Sequence, residues 1–183
     1  MAKEFETRVL NIDREAIKKK LEALGAKLVK DVLMKRITFD YPDRRLDAER
    51  AFIRVRDNGT GVIELAYKKN ARPTATGLTD TDEIEFEISD MEAARQFFLA
   101  IGLEMKQFIE TKRLEYHLGD LRFDIDEWPM LPPFVEVEGP SAERVMDGIR
   151  MLGFAQAQTY SGDAGNMYDD AGVDWKGMRE IKF

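Results

Sequence analysis

The stretch Leu121–Gly139, LRFDIDEWPMLPPFVEVEG, has charged and apolar side chains that alternate on both sides of its proline-rich turn. Successive side chains of a β-strand point to opposite faces. The alternation therefore predicts two strands that each have one charged and one apolar face. The charged positions of these strands are Arg122, Asp124, Asp126, Glu136 and Glu138.

The four carboxylates of this stretch would repel one another on neighbouring strands unless positive charge lay between them. The sequence therefore predicts cations beside these acids. Two kinds of cation satisfy the requirement, a metal ion or a set of arginines and lysines.

The N-terminal segment repeats the pattern. In Glu4-Phe5-Glu6-Thr7-Arg8, strand alternation places two carboxylates and one guanidinium on the same face. This segment is therefore predicted to join the charged face.

Other predicted strands carry basic side chains. They are 51–56 with Arg54 and Arg56, 62–69 with Lys68, and 108–118 with Arg113. A strand over 83–88 alternates glutamates with apolar residues, and 29–41 is mixed but strand-like. Three amphipathic helices are predicted, with N-caps at Asp13, Asp90 and Ser141 and glycine stops at Gly25, Gly102 and Gly153.

About eight strands and three helices predict an α+β fold in one domain, residues 1–183. Each helix must bury an apolar stripe, and the strands offer a single apolar face to it. We therefore expect a closed eight-stranded antiparallel β-barrel with the helices packed outside and the charges in the lumen. The alternative is an ordinary sheet whose charged face is solvated.

Two segments carry less information. Residues 70–81 are rich in Thr, Gly and Pro and are predicted to be a loop that could act as a flap. The tail from Tyr160 is predicted to be a surface segment with a short helix, or a cap over one mouth of the barrel.

Composition excludes several classes of function. The net charge of −7 argues against general nucleic-acid binding. The chain has no cysteine, which excludes thiolate metal sites. His117 is its single histidine, so Ser-His catalysis is not favoured. No signal peptide or membrane span is predicted, and a cytoplasmic location is the default.

A lumen lined by paired acids and several bases suits a polyanion held together with a divalent cation. Arginines can bind phosphate oxygens with two parallel hydrogen bonds. Carboxylates without cysteine or a usable histidine indicate Mg²⁺ or Mn²⁺ rather than zinc.

The motifs together resemble the CYTH or triphosphate tunnel metalloenzyme family, which includes class IV adenylyl cyclases, thiamine triphosphatases and inorganic triphosphatases. The family's E-x-E-x-K resembles residues 4–8, with Arg8 in the place of lysine. The remaining matches, in chain order, are FIRVR at 52–56, LAYK at 65–68, RLEY at 113–116, ID at 125–126 and EVE at 136–138. The resemblance covers nearly the whole chain.

The resemblance implies roles for these residues. Metal ligands or their neighbours would be Glu4, Glu6, Asp126, Glu136 and Glu138, and the triphosphate would be held by Arg8, Arg54, Arg56, Lys68 and Arg113. Glu4, Glu6 and Arg8 would form the catalytic group. The chain departs from the family at Arg8, at Thr111, where a base is often found, and at Thr81-Asp82.

The function expected from this resemblance is metal-dependent hydrolysis of a triphosphate. The alternatives are a class IV adenylyl cyclase that converts ATP to cyclic AMP and diphosphate, a non-catalytic nucleotide- or polyphosphate-binding module, and a plain structural barrel. The expected partner is a small-molecule triphosphate or nucleotide, with no nucleic acid or membrane, and a homodimer is left open.

Overall fold

The computed structural model describes residues 5–70, 81–160, 162 and 164–183; the side chains of residues 70 and 81 lie outside the description. Its strands are β1 (Phe5–Val9), β2 (Lys27–Asp40), β3 (Ala51–Asp57), β4 (Ile63–Asn70), β5 (Thr81–Ile88), β6 (Glu104–Leu118), β7 (Leu121–Glu127), β8 (Phe134–Gly139) and β9 (Glu180–Ile181). Its α-helices are α1 (Arg14–Ala23), α2 (Arg45–Ala48), α3 (Met91–Ala100), α4 (Ala142–Met151) and α5 (Ala164–Asp170).

Eight strands form one antiparallel sheet in the order β1-β8-β7-β6-β2-β3-β4-β5, and β9 pairs parallel to β6. The two longest strands, β2 and β6, pair along most of their length in the middle of the sheet. The sheet is strongly curled into a half-barrel, with a concave and a convex side.

The prediction of a closed barrel is wrong. Within the described ranges β1 and β5 are the two edges of the sheet and do not pair with each other. Closure requires the strand tilt and stagger to bring both edges into hydrogen-bonding register, which inward-pointing charges do not enforce. A curled open sheet shelters the charged face without that constraint.

Helices α1, α3 and α4 pack on the apolar side of the sheet, as predicted. Ile17 of α1 and Ile149 of α4 belong to one buried cluster with Phe123 and Val137 of β7 and β8. At Gly148 of α4, an added Cβ would lie 2.7 Å from a methyl carbon of Val137, so only glycine allows this close helix–sheet contact.

A second cluster on the same side joins α3 to the middle of the sheet. Phe98 packs with Phe39 of β2 and Val55 of β3. The two clusters bury the apolar faces of the strands against the helices. The charged faces therefore line the concave side.

The predicted helix boundaries are confirmed. The carboxylates of Asp13 and Asp90 and the hydroxyl of Ser141 accept backbone N–H groups in the first turns of α1, α3 and α4. Short elements were missed: α2 lies between the predicted strands 29–41 and 51–56, where no helix was predicted, and β9 has two residues and no periodic pattern. The predicted flap falls almost entirely on residues 71–80, which lie outside the described residues.

Candidate functional site

The concave face is built by the pairing register of the sheet. In antiparallel strands, directly opposed residues share a face. Arg8 lies opposite Glu136, Glu6 opposite Glu138, and Arg113 opposite Asp126. Residues far apart in sequence are thereby collected on one side of β1, β8, β7 and β6.

Arg8 of β1 donates hydrogen bonds to carboxylates on β8 and on its own strand. Its Nε donates to Glu136 Oε2 at 2.5 Å and its Nη2 to Glu6 Oε1 at 3.0 Å. Burial alone would raise the pKa of Glu136, but the positive charges of Arg8 and Arg113 outweigh burial and lower the pKa to about 2. Glu136 is therefore ionised throughout the physiological range.

Arg113 of β6 contacts the two aspartates of β7. Its Nε and Nη2 donate to the two oxygens of Asp126 at 2.7 and 2.6 Å, and its Nη1 lies 2.5 Å from Asp124 Oδ2. Both aspartates are about 1% exposed. Arginines therefore offset part of the predicted repulsion among the carboxylates, the second of the two solutions that the sequence allowed. At Asp124, burial and the charges of Asp126 and Glu136 outweigh Arg113 and Arg122 and raise the pKa to about 7.

A second charged group lies on β3, β4 and β5. Arg54 Nη2 donates to Glu85 Oε2 at 2.9 Å and lies 3.7 Å from Glu83 Oε1. Lys68 Nζ lies 2.8 Å from Glu83 Oε2. Burial and the neighbouring charge of Arg56 lower the pKa of Arg54 to about 10.

Arg56 completes this second group from the same strand as Arg54. Its Nε donates to Glu64 Oε2 at 2.8 Å. Glu64 lies directly opposite Arg56 in the β3–β4 ladder. The two predicted arginines of β3 therefore share the concave face but hold different acids.

The C-terminal segment, which comprises residues 160, 162 and 164–183, covers one end of the concave side. Met167, Tyr168 and Ile181 pack against Trp128 and Phe134, residues that follow β7 and begin β8. The short helix predicted in this tail is α5, and the predicted cap over one mouth stays a prediction.

The same segment also contacts the charged face. Arg8 Nη1 donates to the carbonyl oxygen of Gly162 at 2.7 Å, and the backbone N–H of Tyr160 donates to the Arg8 carbonyl at 2.8 Å. Arg8 therefore forms hydrogen bonds with the C-terminal segment as well as with Glu6 and Glu136.

The structure brings the predicted residues together in two groups. Glu6, Arg8, Arg113, Asp126 and Glu136 form the first. Glu138 adjoins this group and pairs with Arg122. Arg54, Arg56 and Lys68 belong to the second, and Glu4 lies outside the described residues.

Several charged residues of the concave face were not assigned to the site from sequence. They are Arg36, Glu64, Glu83, Glu85, Arg122 and Asp124. Asp124 and Arg122 share the alternation of Asp126, so the pattern alone could have included them. Arg36 lies in a strand without clean alternation, and only the β2–β3 register reveals its position.

The fit of a metal ion can be judged from the carboxylates. The donors are all oxygens, as a hard cation requires. Asp124 Oδ1 is buried and accepts no hydrogen bond from the part of the chain that is described. Among the residues described, no three acidic or histidine side chains converge on one point. Arg8 and Arg113 instead hold the acids of the first group. The donor chemistry therefore fits Mg²⁺ or Mn²⁺, while the carboxylates are held by arginines.

Comparison with known proteins gives one family. Residues 2–153 match the family described as "CYTH domain". A Methanocaldococcus jannaschii protein named "Putative adenylate cyclase" is 30% identical over 136 residues, which cover 74% of this chain and 75% of that protein. In the described part of the chain, no helix is long and apolar enough to cross a membrane.

Solved structures share the fold at low sequence identity. A Pyrococcus horikoshii protein has a TM-score of 0.75 at 23% identity, with 90% of this chain and 98% of that chain covered. A Hippeastrum protein, whose structure is described as revealing a dominant triphosphatase activity, has a TM-score of 0.66 at 19% identity, with 94% and 97% covered. The family match spans most of the chain and contains both charged groups, so this protein belongs to the CYTH domain family.

Proposed function

We propose that this protein is a metal-dependent phosphohydrolase that acts on an inorganic or organic triphosphate bound on the concave face. One observation carries the proposal: guanidiniums and carboxylates are held in contact on one sheltered face, as in the Arg113–Asp126 and Arg8–Glu136 pairs. A metal–triphosphate needs both kinds of group in one place, because its phosphates bind cations and its metal binds carboxylates.

The bases of the two groups are the proposed triphosphate-binding residues: Arg8, Arg54, Arg56, Lys68 and Arg113. Each of them already makes close contact with an acid. Binding would exchange these carboxylates for phosphoryl oxygens of similar charge. The guanidiniums are therefore preorganised for the ligand, which reduces the entropy lost on binding.

The acids have the complementary role. Glu4, Glu6, Asp126, Glu136 and Glu138 are the carboxylates that would hold Mg²⁺ or Mn²⁺. When bound, the cation would neutralise charge on the phosphoryl oxygens. Arg8 orients Glu6 and Glu136 through its two hydrogen bonds, and we propose Glu4, Glu6 and Arg8 as the catalytic group.

Two further observations support the proposal. The Hippeastrum protein with dominant triphosphatase activity shares the fold. Tyr160 and Gly162 contact Arg8, and Met167, Tyr168 and Ile181 pack against Trp128 and Phe134 at one end of the concave side. We therefore treat residues 1–183 as one functional domain.

Adenylate cyclase activity is the second candidate, favoured by the name of the M. jannaschii relative. Both reactions transfer a phosphoryl or nucleotidyl group away from a bound polyphosphate. They differ in the nucleophile, which is water for hydrolysis and the ribose 3′-hydroxyl for cyclisation.

A substrate panel tests the proposal. Tripolyphosphate, thiamine triphosphate and ATP are incubated with Mg²⁺ or Mn²⁺, and the products are separated by chromatography. We expect release of phosphate or diphosphate from tripolyphosphate, and its loss on addition of a chelator. Diphosphate should inhibit much more weakly than tripolyphosphate, because it makes fewer charge-assisted contacts.

Other outcomes select the alternatives. Cyclic AMP from ATP without hydrolysis of tripolyphosphate would replace the phosphohydrolase by the cyclase. Protection against heat by tripolyphosphate without any turnover would indicate a binding module.

A further inference from the structure

Arg36 on β2 differs from the other arginines of the concave face. Arg8, Arg54 and Arg113 each lie within 3 Å of a carboxylate oxygen. Within the described part of the chain, Arg36 has no carboxylate at ion-pair distance; its hydrogen-bond acceptor is Thr111 Oγ1, 3.4 Å from Nη2. Its Nε is shielded from solvent and has no hydrogen-bond partner among the residues that the structure describes.

The Arg36 guanidinium lies over the ring of Trp128. Its Cζ lies 4.3 Å from the centroid of the Trp128 ring. Trp128 is itself held in the apolar cluster of the C-terminal segment. A guanidinium donates hydrogen bonds in its own plane, so contact with the Trp128 ring does not use up its N–H donors.

The surroundings of Arg36 are positive. Burial and the charges of Arg54, Arg56 and Arg113 lower its pKa well below the ordinary value. Asp126 is the acid whose charge acts on it, and Arg113 already engages both oxygens of that carboxylate. Arg36 therefore lies between the two charged groups. In the described part of the chain, no acid of either group forms an ion pair with its guanidinium.

Such an arrangement costs stability, because a shielded charge without a partner loses its hydration and gains no ion pair. An anion in the concave face would supply the missing partner. It would also relieve the repulsion among the guanidiniums.

We propose that Arg36 is a phosphate-binding residue that holds one phosphoryl group between Arg56 and Arg113, with Trp128 as its support. The identity of the ligand as a triphosphate rests on the proposed function. Because Arg36 bridges the two groups, a ligand with several linked phosphates would contact both at once, whereas a single phosphate would not.

The test compares three variants of the full chain with the parent. Arg36→Met removes the charge and leaves an apolar chain to pack on Trp128. Arg36→Lys keeps the charge but loses the planar fork. Arg45→Met is the matched control, because Arg45 also stacks on an aromatic ring, 3.9 Å from the centroid of Tyr41, but lies on the exposed helix α2.

Two quantities are measured without added metal, and the probes are tripolyphosphate and inorganic phosphate. The two quantities are the unfolding temperature with and without each anion, and the dissociation constant of each anion measured by calorimetry. We expect Arg36→Met to unfold at a higher temperature than the parent without anion, and to bind tripolyphosphate about ten-fold or more weakly. Arg36→Lys should lose several-fold in affinity, and the Arg45 variant should match the parent in both.

The proposal is overturned if Arg36→Met binds tripolyphosphate as tightly as the parent, or if it unfolds at a lower temperature without anion. Unchanged affinity in Arg36→Lys would also overturn it, as would a parent that binds neither probe. Failure of the proposed function looks different. A parent that is stabilised by tripolyphosphate through Arg36 but never hydrolyses it retains this site and loses only the enzymatic assignment.

Discussion

Replacing Arg113 by methionine should destabilise the protein strongly. The guanidinium makes three contacts of 2.5–2.7 Å with Asp124 and Asp126, whose side chains are almost fully buried. Removing one partner of a buried ion pair costs about 3–5 kcal/mol, because the remaining charge is left without compensation. In a protein of this size that corresponds to a fall in unfolding temperature of roughly 6–20 °C.

Urea unfolding followed by circular dichroism measures this cost. The double variant Arg113→Met with Asp126→Asn should recover part of it, because the second change removes the uncompensated charge. Arg95→Met, which removes an exposed guanidinium paired with Glu92 on α3, should leave the stability unchanged. If Arg113→Met is as stable as the parent, the buried aspartates are not neutralised by this arginine and the account of the first charged group is wrong.

Two further predictions concern the charged groups. The pKa of Glu136 is about 2 in the folded protein against an ordinary value of 4.5, so its contribution to stability is complete above about pH 4.5 and is lost as the pH falls toward 2. The variant Glu136→Gln should therefore be less stable than the parent at neutral pH, and the difference should shrink in urea titrations over this acidic window; a constant difference would contradict the ion pair with Arg8. Arg54→Met should weaken tripolyphosphate binding by about 1.5–3 kcal/mol in calorimetry, as expected for charge-assisted hydrogen bonds, and unchanged affinity would remove Arg54 from the site.

The charged face was predictable from sequence because strand alternation is a local property. The spacing of Asp124, Asp126, Glu136 and Glu138 was sufficient to place them on one face. It was also clear that cations must lie between them. Which cations could not be known, because Arg8 and Arg113 reach these acids only through the pairing of β1, β6, β7 and β8.

The open form of the sheet and the position of Arg36 on the concave face were not predictable for a related reason. Both depend on which strand edges meet and in what register, and the side-chain pattern of a single strand does not encode this. The two residues of β9 likewise carry no periodicity, although Ile181 is almost fully buried.

The contact of the C-terminal segment with Trp128 and Phe134 has a consequence for how the protein folds during synthesis. The sheet cannot be completed early, because β1 must wait for β8. Even then, Trp128 and Phe134 would remain uncovered until Ile181 had left the ribosome. Chains emerge from the N-terminus, and exposed apolar surface on incomplete chains promotes association. A pause in translation between Gly139 and Ile181 would therefore hold the nascent protein in a state in which the charged face is formed while Trp128 and Phe134 are still uncovered, and this state would be prone to aggregation.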